Sequence, residues 1–512
     1  MKLNIFERVL APIAPNAALS RVKARAALEL FAGTNTRRFD GASKGSRFSG
    51  WKRPGTNADS AMAGSIAALR NGSRDLTRNN PWACKALKVI ANNTVGTGIK
   101  GQVVGRNKTQ AKKLQSKWTT WTEGGNLDLD KKLDLIALEN LIITTVAESG
   151  EALIRRAVVK PTGKNVIPFK IQVLEPDFID TYKNDTLANG VYIQDGIEFN
   201  KRGEVLAYWL YDKHPGETRS NWFNSIQSSR YPADEIIHVF DKTRPGQTRG
   251  YPWCAAAIRR LKDYDDYEDA QLVRQKLAAA FVGFVYDSTN ESGGETGLSA
   301  GGETDEDKLE NFQPGMFEHL GPGKDIKFST PPPVSNYAEY GRANLMGVAA
   351  AYGITYESLT GDYSNVNFSS GRMGWLEMSR NVSKWQNSIM RAQFLERLAE
   401  WFFFGLELAG EDIDGASIKW TYPRREMIDP TKEIPALIKS ARAGLTSIPR
   451  IHASMGENSD EILEEIAEFN KKMDDLGIIS DADPRNTNIQ GMQHKDGTAE
   501  PDSDEKNEKE EE

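Results

Sequence analysis

The chain of 512 residues has little cysteine and little histidine. Its two cysteines, Cys84 and Cys254, form no CxxC pair, and one bridge cannot staple a chain this long. That excludes a secreted disulfide scaffold and fits a reducing compartment. The five histidines, His214, His238, His319, His452 and His494, are scattered, and none sits in HExxH or at metal spacing from a cysteine. Long apolar runs are missing too. Residues 277–286 and 345–354 reach about half of the ~20 residues that span a bilayer, so no membrane segment is expected. Glu7 and Arg8 interrupt the apolar patch of MKLNIFERVLAPIAP, which argues against a secretory leader. There is no GxSxG and no Walker A lysine loop. GTGIKG at 96–101 fits GxGxxG, but it follows a helical segment where a dinucleotide fingerprint needs a strand, so a turn is expected.

What is present is organised by charge and period. The net charge of −6 averages over unlike ends. Residues 1–120 carry about 22 Lys and Arg against about 5 acids, and residues 481–512 about 11 acids against about 4 bases. Residues 1–60 read as a basic flexible arm and 479–512 as an acidic disordered tail. The length suggests roughly two to four domains.

Between the ends the period switches several times. Residues 61–93 and 131–149 read as helical, with Asn80 capping a helix that starts at Pro81. From 150 to 240 the segments EALIRRAVVK, FKIQVLEPDFI, GVYIQDGIEFN, EVLAYWLYD and DEIIHVF read as strands of a mainly antiparallel sheet. Lys201-Arg202-Gly203 marks a hairpin turn. Helix is expected again from Pro252 to Tyr286. A Gly/Ser/Glu-rich insertion follows, then strand-like pieces and a second helix at SNYAEYGRANLMGVAAAYGI. In the last long segment Trp375, Met378, Val382, Trp385 and Ile389 step by 3 and 4, as the buried stripe of a helix does. A continuous helix over 370–408 would be about 58 Å long. The fold class expected is α+β.

Three groups of residues are candidates for function. Before the long helix stand Asp362, Ser364, Asn365, Asn367, Ser369, Ser370 and Arg372, too polar and turn-prone to build a core. In the arm, Arg37, Arg38, Lys44, Arg47, Lys52 and Arg53 are interleaved with aromatics, a pattern suited to phosphates and bases. Asp263, Asp265, Asp266, Glu268 and Asp269 crowd one helix. Carboxylates suit hard cations, but helical spacing spreads these around the axis, so a solvated or pore-facing acidic surface is the simpler expectation. No catalytic residue, metal or cofactor is expected.

The segments RDLTRNNPWACKALKVIANNTVGTGIKGQ, QVLEPDFIDT, GVYIQDGIEFNKRGEVLAYWLYDKHPGE, IIHVFDKTRPGQTRGYPWCAAAIRRLKDYDDYEDAQLVRQKLAAAF and YGITYESLTGDYSNVNFSSGRMGWLEMSR, in this order, resemble the lambda-like family of portal proteins of tailed bacteriophages. The resemblance implies a portal fold: an α/β wing, a two-helix stem, a small α/β clip, a long channel helix and a helical crown, assembled as a ring oligomer. By order, 61–250 map to the wing, 251–286 and 335–354 to the stem helices and 287–334 to the clip. Residues 355–372 map to a tunnel loop, 373–429 to the channel helix and its return, and 430–478 to the crown.

The resemblance further implies a structural role without enzyme activity. The ring, a dodecamer in most of the family, sits at one capsid vertex of the virion after assembly in the host cytoplasm. Double-stranded DNA passes through its channel during packaging and ejection. The implied protein partners are the terminase large subunit, head-tail connector or adaptor proteins, and the major capsid and scaffold proteins. LTGDYSNVNFSSGR resembles the tunnel loop, whose hydroxyls and amides suit weak, exchangeable phosphate contacts. Two other readings remain open at this point: a metal-dependent nucleic-acid-processing enzyme using Asp263, Asp265 and Asp266, or another virion structural protein such as a head-tail adaptor.

Overall fold

Asn80 and Pro81 divide the first helical stretch. The Asn80 side chain accepts from the backbone N–H groups of Trp82 and Ala83, and Pro81 occupies the first helical position, where no donor is needed. The result is α1 (Ile66–Asn79) followed by α2 (Pro81–Thr94). The computed structural model describes residue 50 and residues 55–161, 163, 165–217, 227–279, 283–287, 324–328, 336–413, 415–424, 427 and 429–478. The chain divides into two units, residues 1–61 and 62–512. The elements described here lie in the second.

After α2 the chain turns through Gly96 and Gly98, both at positive φ, into β1 (Lys100–Val104). The GxGxxG match is thus a helix-to-strand turn, as expected. Helices α3 (Lys108–Thr122) and α4 (Leu135–Ser149) follow, capped by Asn107 and Asp134. The strand-rich region resolves into two antiparallel sheets rather than one. In the first, β2 (Glu151–Val158) lies between β3 (Phe169–Leu174) and β9 (Ile236–Phe240). The second is a meander of β4 (Asp185–Thr186), β5 (Tyr192–Gln194), β6 (Ile197–Phe199), β7 (Val205–Tyr211) and β8 (Ser228–Pro232). The hairpin expected around Lys201–Gly203 joins β6 to β7.

The helix expected to reach Tyr286 ends sooner. Helix α5 spans Ile258–Ala279, and Gly283–Asp287 is a strand, β10, paired antiparallel with β11 (Lys324–Phe328). The apolar run was ambiguous because Val, Phe and Tyr also favour strands. Helix α6 (Tyr337–Tyr352) packs back on α5. Two glycines permit that close approach: a Cβ on Gly341 would lie 2.8 Å from the Tyr264 hydroxyl, and one on Gly347 would collide with Arg260. Tyr267 stacks on Tyr337 and meets the tilted ring of Tyr340 beside them.

Next come α7 (Tyr356–Thr360), α8 (Phe368–Lys384), a π-helical segment (Trp385–Leu395) and α9 (Glu396–Leu408), the last three one uninterrupted helical run. Strand β12 (Ser417–Thr421) pairs with β1, which ties the end of this run to the beginning of the unit. Helices α10 (Pro430–Arg442), α11 (Ile448–Ser454) and α12 (Ser459–Leu476) complete it.

The main core joins α2, α4, β2, the π segment and α9. Its densest part is aromatic: Trp118 meets Trp121, Phe402 and Trp420 edge-on at ring-centroid distances of 5.1–5.9 Å. A smaller core of Leu153, Ile179, Phe199, Tyr208 and Leu210 fills the meander sheet. Among the described residues no helix is long and apolar enough to cross a membrane.

Candidate functional site

The polar stretch before the long helix is shorter and more ordered than its composition suggests. Of residues 355–372, only Thr355 and 361–367 lie outside helices. Thr355 caps α7 by accepting from Ser358 N–H, buried Leu359 anchors it, and Gly361 ends it at φ +75°. Asn367 then opens α8 through a reciprocal capping box. Its side chain accepts from Ser370 N–H, and Ser370 Oγ accepts from Asn367 N–H. Within the loop, the Asp362 carboxylate accepts from Ser364 N–H and Oγ–H. These bonds from Ser364 hold the Asp362 carboxyl below its ordinary range.

The seven loop candidates therefore divide. Asp362, Ser364, Asn367 and Ser370 spend polar groups on shaping the turn. Asn365 reaches only the Ser364 hydroxyl, at 3.4 Å, while Ser369 and Arg372 stand exposed on the first turn of α8. The first ten residues of α8 are largely uncovered, with Phe368, Met373, Trp375 and Leu376 all exposed. Burial begins at Met378 and Val382.

The π segment holds the base of this projection. Its side-chain amides bind the backbone of distant elements. Gln386 donates to Thr94 O, and Gln393 both accepts from Phe240 N–H and donates to Phe240 O. Asn387 accepts from the Tyr422 hydroxyl at 2.6 Å. Widening the helix at a functional position is a known use of π geometry. The sequence reading treated 370–408 as plain α-helix, because the 3-and-4 apolar spacing hides an added residue per turn.

The α5 acids also divide. Asp263, Asp266 and Asp269 are exposed and share one face at a spacing of three. Arg259 and Lys262 pair with Asp263 and Asp266. Asp265 and Glu268 are half-buried, Asp265 within 3.4 Å of Asn80 Nδ2 and Glu268 accepting from the Tyr337 hydroxyl. The arm cations Arg37, Arg38, Lys44, Arg47, Lys52 and Arg53 lie outside the described residues, as do most of 287–334 and the acidic tail from 479.

One charged centre was missed from sequence. Glu151, fully buried at the start of β2, accepts from Arg249, from Gly250 N–H and from His238 at 3.0 Å, with Arg70 3.8 Å away. Burial alone would push the Glu151 carboxyl up; the Arg249 guanidinium and His238 overcome that and hold it far below the carboxylate range. The segment RPGQTRG at 244–250 builds this centre. Gln247 folds the loop by accepting from Thr243 and Arg244 N–H, and Gly250 passes close against Gly150, which delivers Arg249 to Glu151. Glu175, Asp177 and His214 come together nearby, close enough for a metal. Arg74 already pairs with both carboxylates and Arg70 with Asp177, so the charge a cation would supply is provided by guanidinium groups.

Comparison with known proteins gives this arrangement its class. The family described as "Phage portal protein, lambda family" matches residues 44–386. The chain is a phage structural protein of the portal class. It belongs to the lambda family of phage portal proteins. The probable portal protein of Halomonas phage phiHAP-1 is 25% identical over 441 residues, covering 82% of this chain and 83% of that one. Portal protein B of Escherichia phage lambda is 21% identical over 475 residues, covering 82% and 87%. A chain from the virion of a native gene transfer agent particle is 15% identical, with a TM-score of 0.45, and covers 77% of this chain and 93% of its own.

Proposed function

We propose that this portal protein closes into a ring, of twelve copies in the simplest case, at one vertex of the phage capsid, and that double-stranded DNA passes through its bore. The observation that carries the reading is the stretch 361–377, a short polar loop followed by a largely exposed half-helix whose far end is locked into the core. Residues 355–372 act as the tunnel loop and 373–429 as the channel helix and its return. Residues 61–250 form the wing, 251–286 and 335–354 the stem, 287–334 the clip and 430–478 the crown.

Within that frame Asn365, Ser369 and Arg372 make the weak phosphate contacts, and Asp362, Ser364, Asn367 and Ser370 keep the loop in shape. Arg372 contributes one positive charge per copy, which supports contact without the tight, salt-sensitive grip of a lysine-rich loop. The Asp263, Asp266 and Asp269 face repels DNA where the stem lines the bore. The arm cations give further phosphate contacts. The clip docks the terminase large subunit during packaging and head-tail connector proteins afterwards, and the outer surface meets major capsid and scaffold proteins. The chain acts without catalysis, in the host cytoplasm during assembly and at the portal vertex thereafter.

Native mass spectrometry and electron microscopy of the purified chain test the reading. A closed ring with a bore wide enough for duplex DNA is expected. A compact monomer with metal-dependent nuclease activity, lost on changing Asp263, Asp265 and Asp266 to Ala, would overturn it.

A further inference from the structure

Helices α10 and α12 both carry an apolar seam that their own chain leaves open. Among the described residues neither helix has a buried side chain. On α12, Ile462, Ile466, Phe469, Met473 and Leu476 step by 4, 3, 4 and 3, the spacing of a helix built to meet another helix along a seam. Ile466 is 47% exposed, Phe469 58% and Leu476 72%. On α10, Ile434, Ile438 and Ala441 step by 4 and 3, with Ile434 at 48% and Ile438 at 45%. Helix α10 is not simply loose. Its other side, at Ala436 and Leu437, faces Trp375 and Leu376 of α8 across a shared groove, which turns Ile434 and Ile438 outward.

The charges beside the two seams are opposite. Glu461, Glu465 and Glu468 stand one residue before Ile462, Ile466 and Phe469, and all three are exposed. Lys439 and Arg442 stand one residue after Ile438 and Ala441, also exposed. In a parallel helix pair the residue just before the first seam position of a heptad on one helix faces the residue just after the second seam position on the other. Setting Ile438 against Ile466 then places Arg442 beside Glu465, with Ile434 on Ile462 and Ala441 on Phe469.

We propose that α12 of one copy packs in parallel on α10 of the next, in this register. The proposal rests on the ring reading and names the contact that propagates it. The surface is heterologous: a copy offers α12 on one side and α10 on the other, and repetition of such a contact closes a ring when the rotation permits. The seams supply contact area and the Glu465–Arg442 pair sets partner and register.

Cross-linking with a short bis-maleimide tests this in a Cys84→Ser background. Copies carrying only Ile438→Cys and copies carrying only Ile466→Cys are purified, examined separately, then dissociated, mixed and reassembled. The proposal expects a cross-linked dimer from the mixture and none from either alone. It also expects Arg442→Glu to weaken assembly at least tenfold and Glu465→Arg to restore it in the same chain. Rings that form without the mixed cross-link overturn this contact and leave the ring standing. Cross-linking of Ile466→Cys copies with themselves overturns it in favour of an isologous α12 pair. A chain ending at residue 478 that first exposes the seams shows that the acidic tail covers them, which also overturns it. Chains that stay monomeric under every assembly condition overturn both the contact and the ring.

Discussion

Glu151→Gln removes the carboxylate that Arg249 binds in a fully buried site. Breaking such a pair from one side costs about 3–5 kcal/mol, because the remaining charge stays desolvated. Urea unfolding should show a loss of that size in the free energy extrapolated to water. The pH dependence follows from the direction of the shift. The folded carboxyl lies below its ordinary value of 4.5, so its contribution is complete above that pH and is lost as pH falls toward the folded value. Glu139 runs the other way. It is fully buried, accepts from Ile99 N–H with one oxygen and leaves the other without a partner, and burial raises its carboxyl well above the ordinary range. It therefore costs nothing below pH 4.5 and costs progressively more as pH rises. Glu139→Gln should raise the melting temperature at pH 8 and leave it unchanged at pH 4. An equal effect at both would show that the Glu139 carboxyl titrates alike in the folded and unfolded chain. Neither residue stood out in the sequence, since a glutamate at a strand start or on an apolar helix carries no local mark of the partners it meets across the fold.

At the scale of elements, the π segment joins three regions through side-chain amides, and Gln393 serves β9 as a short extra strand edge. Gln393→Leu leaves both the Phe240 N–H and C=O without that partner. The expected cost is about 1–3 kcal/mol, and amide exchange at Phe240 should accelerate in step. A stability loss with unchanged exchange at Phe240 would place the effect elsewhere. The sequence made most elements legible. The Asn80-Pro81 break, the hairpin at Lys201–Gly203, the paired α5 and α6 around an excursion and the long helix all follow from capping, turn chemistry and apolar spacing. Three features were not legible for physical reasons. The π widening adds residues without disturbing the stripe. The β1–β12 pairing joins segments more than 300 residues apart, which no local pattern encodes. The polar run at 355–372 looked like one loop because Asn and Ser serve equally as turn residues and as helix caps, and here they do both.

At the scale of the whole molecule, the candidate loop was legible as a place and only partly as a mechanism. Its position ahead of the long helix followed from sequence. Which side chains shape it and which remain outward did not, because the capping box and the Asp362–Ser364 bonds appear only once the backbone is set. The exposed apolar residues of α8, α10 and α12 make patches of the kind that mark contact sites. On the function proposed above, the seams close the ring and the stretch at 361–377 faces its bore. Cryo-electron microscopy of the assembled protein tests that claim most directly. The account predicts a closed ring whose narrowest point lies at residues 361–372, with Arg372 directed into an opening that admits duplex DNA. A ring in which this segment lies buried between copies or on the outer surface, with another element at the narrowest point, would contradict it.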